Sequence, residues 1–344
     1  MSEAAGGIDV EAFARWMDEN GVPGKGERPD LGSLQGGSQN ELVIIERGGR
    51  RMVMRKPPAG AVEDRLDGIR REHRLAKALQ GADVPHAAYI AGSDDSELLG
   101  TPFYIMEAID GWSPADLGGW AEPFQSDLSL RPGLAFELVR GAALLGNVDW
   151  RARGLEGFGR PDNFHERQVD RWLAFLERIK CRELPGLHEA AAWLRAHQPK
   201  NWTPGIMHGD YQFANVMFRH GAPAELAAII DWEMTTIGDP LLDLGWILVA
   251  WGPEADDMEH GRYLDLTGMP TIEEMCAHYE LHSGRSTADI VYYIVLARWK
   301  LGIVLEQSYS RFLAGAGVNP KVEVFGPLVL ELVRKAAALA AANP

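Results

Sequence analysis

Two short apolar runs of this chain each end on an acid, and that pairing restricts the fold more than any other feature. "IMHGDYQFANVMF", residues 206–218, sets His208, Asp210, Gln212 and Asn215 between the apolar arms Ile206-Met207 and Val216-Met217-Phe218. "AELAAIIDWE", residues 224–233, closes the run Leu226 to Ile230 on Asp231, sixteen residues after Asn215. Apolar arms of this length read as buried strands. A fold that buries them must present the polar groups at strand ends, where Asp210, Asn215 and Asp231 can converge. Asn215 and Asp231 are oxygen ligands of the kind Mg²⁺ takes alongside phosphate oxygens. Asp210, offset from them, can accept a proton from a hydroxyl nucleophile.

The rest of the chain falls into two textures. Residues 8–20 read as a short amphipathic helix with Ile8, Phe13, Trp16 and Met17 apolar, and "PGKGERPD" then breaks it. "LGSLQGGSQN" reads as a Gly-rich turn leading to a strand at Leu42 to Ile45. Gly48-Gly49 signals a hairpin, and a second strand runs from Met52 to Lys56. Residues 63–80 carry Leu66, Ile69, Ala76 and Leu79 at helical spacing, and "AAYIAGS" and "PFYIMEAIDG" read as two more strands. After Gly111 the segments "LRPGLAFELVRGAALLGNVDW", "FHERQVDRWLAFLERIK" and "GLHEAAAWLRAHQ" are helical, and the chain is helical again beyond Asp239-Pro240. Residues 1–110 thus form a sheet-rich lobe and residues 111–344 a helix-rich one. The 344 residues suit two lobes better than a single core. The cleft between two such lobes is a preferred place for a small ligand.

Composition narrows the function classes. The formal net charge of −15 opposes binding to nucleic acid or to an anionic membrane surface. Two cysteines, Cys181 and Cys276, make neither a disulfide framework nor a zinc site, which points to a reducing cytoplasm. No basic-apolar leader opens the chain, and no run reaches the length of a membrane span.

H-x-D-x-x-x-x-N followed by a strand-end Asp resembles the kinase catalytic loop and its metal-binding Asp. The wording "HGDYQFAN" with "DWE" resembles the aminoglycoside phosphotransferase and choline kinase-like family. "GDPLLDLGW" and "RQVDRW" (167–172) resemble the branch found as a kinase-like domain fused to some acyl-CoA dehydrogenases. The resemblance runs from about Leu31 to about Trp251. It implies an α+β, protein-kinase-like two-lobe fold, with a small antiparallel-sheet N-lobe that binds nucleotide and a larger, mainly helical C-lobe that carries catalysis and substrate.

The resemblance also implies roles. Asp210 becomes the catalytic base, and Asn215 and Asp231 the Mg²⁺ ligands. His208 braces the loop. Gly36, Gly37 and Ser38 lie in the Gly-rich segment that covers the phosphates of ATP or another nucleoside triphosphate. Side chains alternate along a strand, and the kinase pattern V-A-I-K laid on Met52-Val53-Met54-Arg55 selects Arg55 as the phosphate-contacting cation, with Lys56 as the alternative. Glu72, on the stripe Ile69-Glu72-Ala76-Leu79, is the carboxylate expected to pair with Arg55; a surface pair with Arg71 or Lys77 is the other reading. Met106 guards the adenine pocket, with the Glu107 carbonyl and the Ile109 N–H bonding adenine.

Two acids read as scaffold. Asp239 before Pro240 fits a helix N-cap. Asp243, inside the apolar "LLDLGWILVAW", needs hydrogen-bond donors, and the catalytic-loop backbone can supply them. The acidic "WGPEADDMEH" (251–260) could hold an amine-bearing substrate but reads more simply as a solvated loop. Trp251, Tyr263 and Trp299 could line a pocket or belong to the core.

The function so implied is ATP- and Mg²⁺-dependent transfer of the γ-phosphoryl to a hydroxyl of a small molecule, either aminoglycoside-like or hydroxyacyl-CoA-like. Two alternatives come from other classes. One is a nucleotide-binding kinase-like module without catalysis. The other is a metal hydrolase using His208, Asp210 and Asp231, which lacks a His pair of ligand spacing.

Overall fold

A computed structural model describes residues 8–34, 40–252, 264–315 and 322–344. Two compact units are present. The first comprises Met1–Gly111, Trp150–Glu156 and Ala227–Glu233, and the second comprises Trp112–Asp149, Gly157–Leu226 and Met234–Pro344.

The first unit opens with helix α1 (Val10–Glu19), whose start is capped by the Asp9 carboxylate accepting the Glu11 and Ala12 N–H groups. A five-stranded antiparallel sheet follows, built from β1 (Asp30–Leu34), β2 (Glu41–Arg47), β3 (Arg50–Lys56), β4 (Tyr89–Ser93) and β5 (Phe103–Glu107), in the order β1-β2-β3-β5-β4. Helix α2 (Glu63–Leu79) lies between β3 and β4 in the chain. The Gly48-Gly49 turn joins β2 to β3 with φ of 59° and 67°, which L side chains rarely adopt. β1 is a strand beyond those expected from the sequence, which begin at Leu42. Gly32 weakens the local strand signal, yet the segment pairs along β2 from Asp30↔Glu46 to Leu34↔Leu42.

The period-two alternation of the strands sorts their side chains. Val43, Ile45, Met52, Met54, Phe103 and Ile105 pack with Phe13 and Met17 of α1 in one apolar cluster. Arg55 lies between Met54 and Lys56 and so faces the opposite way, directly across from Tyr104 of β5. The two later segments of this unit are tied in locally. Arg153 donates to the Ala78 and Gln80 carbonyls at the end of α2. Ile229 donates its N–H to Pro85 O at 2.9 Å.

The second unit is mainly helical. It contains α3 (Pro114–Leu117), α4 (Arg131–Gly146), α5 (Phe164–Leu176), α6 (Leu187–Ala196), α7 (Leu241–Ile247), α8 (Ile272–Ser283), α9 (Ile290–Leu313) and α10 (Phe325–Ala342). Strand β6 (Gly205–Met207) pairs antiparallel with β9 (Thr236–Gly238), from Gly205↔Gly238 to Met207↔Thr236. β7 (Val216–Phe218) is followed by a turn closed by Arg219 N–H donating to Glu225 O at 2.9 Å, and β8 (Leu226–Ile229) belongs from Ala227 onward to the first unit. β9 is a second departure from expectation, because three residues are too few to show a period. The pairing is antiparallel, so His208 leaves β6 at the end opposite Thr236, and Asp239 leaves β9 at the other end, opposite Gly205. There Asp239 accepts from Tyr293 Oη at 2.6 Å and from Leu241 N–H at 3.1 Å, and it lies 2.9 Å from His165 Nε2. These contacts anchor α5 and α9 to the end of β9. Trp251 and Trp299, weighed as pocket-lining, are buried, and their indoles donate to Pro270 O and Leu187 O. No helix among the described residues is long and apolar enough to cross a membrane.

Candidate active site

The first unit assembles a cation between two carboxylates. Arg55 Nε lies 2.8 Å from Glu72 Oε2, and Arg55 Nη2 lies 3.2 Å from Asp231 Oδ1. Tyr104 Oη donates to the same Glu72 oxygen at 3.1 Å. Glu72 is 3% exposed, and burial pushes its carboxyl up to about 7 against the opposing pull of Arg55 and Tyr104. The guanidinium of Arg55 is held above its usual range, the attraction of Glu72 and Asp231 outweighing burial, which alone would lower it. The alternative cation, Lys56, faces the other side of the sheet and pairs with Glu41 at 2.5 Å. Glu72 therefore takes Arg55 as its partner, not Arg71 or Lys77. Asp231 has φ of 62°, a left-handed conformation that Asp tolerates better than most residues and that turns the chain sharply at the strand end. Its Oδ2 has no donor among the described residues.

Met106 and Glu107 close β5, and Ile109 follows the strand end. The Glu107 N–H is committed to Ala88 O at 2.9 Å, and the Glu107 side chain reaches Arg50 at 3.6 Å. Gly36, Gly37 and Ser38 lie outside the described residues, as do residues 253–260 of the acidic stretch and Tyr263.

In the second unit the stretch after β6 is a tightly bonded loop. Asp243, on α7 and 1% exposed, accepts the His208 N–H at 2.6 Å and the Gly209 N–H at 2.9 Å. Burial raises its carboxyl, while His208, these two N–H groups and Lys300 pull the other way. Gly209 has φ of 88°, and a Cβ there would lie 2.6 Å from Met234 O, so only glycine fits. His208 is fully buried, and its Nδ1 accepts the Asp210 N–H at 3.4 Å. The buried Tyr211 anchors the loop by donating to Leu138 O at 2.9 Å.

These contacts leave the Asp210 carboxylate in a set orientation. Oδ1 accepts from Gln212 Nε2 and from the Trp246 indole N–H, both at 2.8 Å. Oδ2 accepts from Asn215 Nδ2 at 2.9 Å, and the same amide nitrogen donates to Asp210 O at 2.8 Å. Because its nitrogen is committed twice, Asn215 has a carboxamide oxygen with no donor among the described residues. Each open oxygen, the Asn215 amide in the second unit and the Asp231 carboxylate in the first, is by itself the kind of donor a hard divalent cation takes.

Three contributors escaped sequence reading. Tyr104 carries a signal in retrospect, since it stands opposite Arg55 across β3 and β5. Trp246 sits three residues after Asp243, on the same face of α7. Lys300, in the middle of α9, had no local signal. Its ammonium lies 4.9 Å from the Trp246 ring centroid and 5.2 Å from that of Trp172. Burial lowers it to about 8, against the attraction of Asp243 and Asp210.

A helical unit with a carboxylate oriented by its own loop, and a sheet-rich unit with a buried Arg–Glu pair, are the parts of an α+β, kinase-like phosphotransferase fold. The sequence profile of the phosphotransferase enzyme family matches residues 30–278, and the chain belongs to that family. It is accordingly one of a family of phosphotransferase enzymes. It is 30% identical over 299 residues to acyl-CoA dehydrogenase family member 10 of Mus musculus, covering 85% of this chain and 27% of that protein. The chain thus spans about a quarter of that relative's length. Among solved structures, a Ralstonia eutropha protein classed provisionally as an aminoglycoside phosphotransferase superposes with a TM-score of 0.80 at 26% identity, covering 97% of this chain and 99% of its own. A thermostable mutant of the aminoglycoside phosphotransferase APH(4)-Ia, in ternary complex with ADP and hygromycin B, shares the fold at 15% identity and a TM-score of 0.53, covering 98% of this chain and 99% of its own.

Proposed function

We propose that this enzyme transfers the γ-phosphoryl of ATP, or of another nucleoside triphosphate, to a hydroxyl of a small molecule, with Asp210 as the catalytic base. The observation that carries this reading is the Asp210 carboxylate, which Trp246, Gln212 and Asn215 hold through both oxygens. A turn carboxylate without a task would not require three donors from three positions. Neutral donors orient the group and leave it able to accept a hydroxyl proton as the oxygen attacks. In-line phosphoryl transfer needs this positioning, together with charge neutralisation on the phosphates.

Residues 1–110 serve as the nucleotide-binding lobe and residues 111–344 as the catalytic and substrate-binding lobe. Arg55, positioned by Glu72, contacts the phosphates. The segment with Gly36, Gly37 and Ser38 covers them, and Met106, Glu107 and Ile109 receive the base. Asn215 and Asp231 hold Mg²⁺ through their open oxygens, and the ion supplies charge neutralisation on the triphosphate. The acceptor is an aminoglycoside-like or hydroxyacyl-CoA-like alcohol. Cys181 and Cys276 are free thiols, which supports a reducing cytoplasmic setting.

The test is ADP release over a panel of aminoglycosides, sugars, choline-like amines and hydroxyacyl-CoA esters, with the wild type and with Asp210→Ala. The expected result is phosphorylation of at least one acceptor by the wild type. Asp210→Ala should lose about 100- to 10,000-fold in kcat while nucleotide affinity stays unchanged. Nucleotide binding without turnover of any acceptor would favour a non-catalytic module instead.

A further inference from the structure

"RQVDRW" on α5 reaches the site through its last residue, Trp172, whose ring Lys300 faces. The Trp172 ring is shared by two cations: Lys300 Nζ lies 5.2 Å from its centroid and Arg171 Cζ lies 5.5 Å from it. Lys300 also lies 4.9 Å from the ring centroid of Trp246, and the indole N–H of Trp246 donates to Asp210 Oδ1. One indole therefore connects the ammonium to the proposed base.

Lys300 is 6% exposed, and among the described residues it donates no hydrogen bond. Two tryptophan faces stabilise its charge but cannot satisfy three N–H donors. Burying an ammonium without acceptors is costly. The carboxylate that acts most strongly on it, Asp243, already has both oxygens occupied by the His208 and Gly209 N–H groups. Arg171 is exposed and pairs with no carboxylate among the described residues. Of the neighbouring arginines, Arg171 is the one whose charge also acts on Lys300.

Building on the phosphotransferase reading, we infer that Lys300 and Arg171, bracketing Trp172 beside Asp210, form a subsite for an anionic group of the acceptor, a carboxylate or a phosphate. A hydroxy compound carrying such a group would place its anion on the Lys300 donors and its hydroxyl toward Asp210. The same cations repel a polycationic acceptor such as an aminoglycoside.

The test uses matched acceptors with the full chain: a hydroxycarboxylic acid and its neutral amide, a hydroxyalkyl phosphate and its neutral diol, and an aminoglycoside. ADP release should favour the anionic member of a pair by at least about tenfold in kcat/KM, and the two pairs separate carboxylate from phosphate. Lys300→Met should lower kcat/KM for the anionic acceptor, mainly through KM, at least about tenfold more than for its neutral partner. Lys300→Arg should retain the preference. Should Lys300→Met fail to fold, Arg171→Ala and the tryptophan fluorescence of the wild type provide the measurement. The wild-type signal should respond to the acid and not to the amide, since Trp172 and Trp246 flank Lys300. Equal use of charged and neutral acceptors, a preference for the aminoglycoside, or equal losses on both members of a pair in Lys300→Met would overturn the inference and reduce Lys300 to a counter-ion of Asp243. If no acceptor releases ADP, the phosphotransfer reading fails by itself, and the fluorescence titration still decides whether the anion subsite exists.

Discussion

Asp243→Asn tests the scaffold of the loop that carries Asp210 without knowledge of the acceptor. The wild-type carboxylate accepts two backbone N–H groups, from His208 at 2.6 Å and from Gly209 at 2.9 Å, in a fully buried position. A carboxamide of the same shape has one acceptor, so its NH₂ must face one of those N–H groups. One charge-assisted bond becomes a neutral one, a loss of about 1 kcal/mol, and the other bond disappears and leaves a buried donor unsatisfied, a cost of about 1–3 kcal/mol. Removing a buried charge offsets part of this, since burial already raises the Asp243 carboxyl. The same change takes from Lys300 the carboxylate that most strongly favours its charged form. The net expectation is a destabilisation of about 2–4 kcal/mol. In urea unfolding without substrates, with a slope of roughly 3 kcal/mol/M, the midpoint should fall by about 1 M. Activity should fall further than stability, because the two N–H groups belong to the residues just before Asp210. A midpoint within about 0.2 M of wild type, with turnover intact, would show that Asp243 does not hold this loop.

The other perturbations read single contacts. Gly209→Ala must adopt φ of 88° with its Cβ 2.6 Å from Met234 O. The conformation alone costs about 1–2 kcal/mol, and a melting temperature unchanged from wild type would contradict the glycine requirement. Glu72 offers a pH signature of opposite signs. Its carboxyl is near 4.5 when exposed and about 7 when folded, so the native state binds the extra proton and stability falls as pH rises from about 4.5 to 7, by about 3 kcal/mol at most. The ion pair to Arg55 needs the carboxylate, so nucleotide affinity should rise through the same region. Glu72→Gln should remove both slopes, and denaturation and nucleotide titration between pH 5 and 8, roughly spanning that window, would show whether it does.

Much of this architecture was legible in local pattern. The period-two alternation of "RRMVMRK" put Arg55 and Lys56 on opposite faces, and the helical stripe of α2 pointed Glu72 at a cation; the structure joins Arg55 to Glu72. The apolar setting of Asp243 demanded donors, and the His208 and Gly209 N–H groups supply them. The two-texture division of the chain matches an α+β fold, because helical and strand periods are properties of a few consecutive residues.

What stayed hidden was short or distant. β1 carries a glycine and β9 has three residues, so neither shows a period, and each exists because a longer partner or a neighbouring strand completes its hydrogen bonds. The segments Trp150–Glu156 and Ala227–Glu233 join the first unit through contacts such as Arg153 on the end of α2 and Ile229 on Pro85, which no composition shift marks. Trp246 and Lys300 meet beside Asp210 from helices separated by dozens of residues. A periodic pattern states which face of an element is buried, and the packing of whole helices then decides which side chain that face meets. The sequence by itself therefore determined the elements, the loop and its acids. Tertiary packing alone decided that an indole would orient Asp210 and that a buried ammonium would stand behind it.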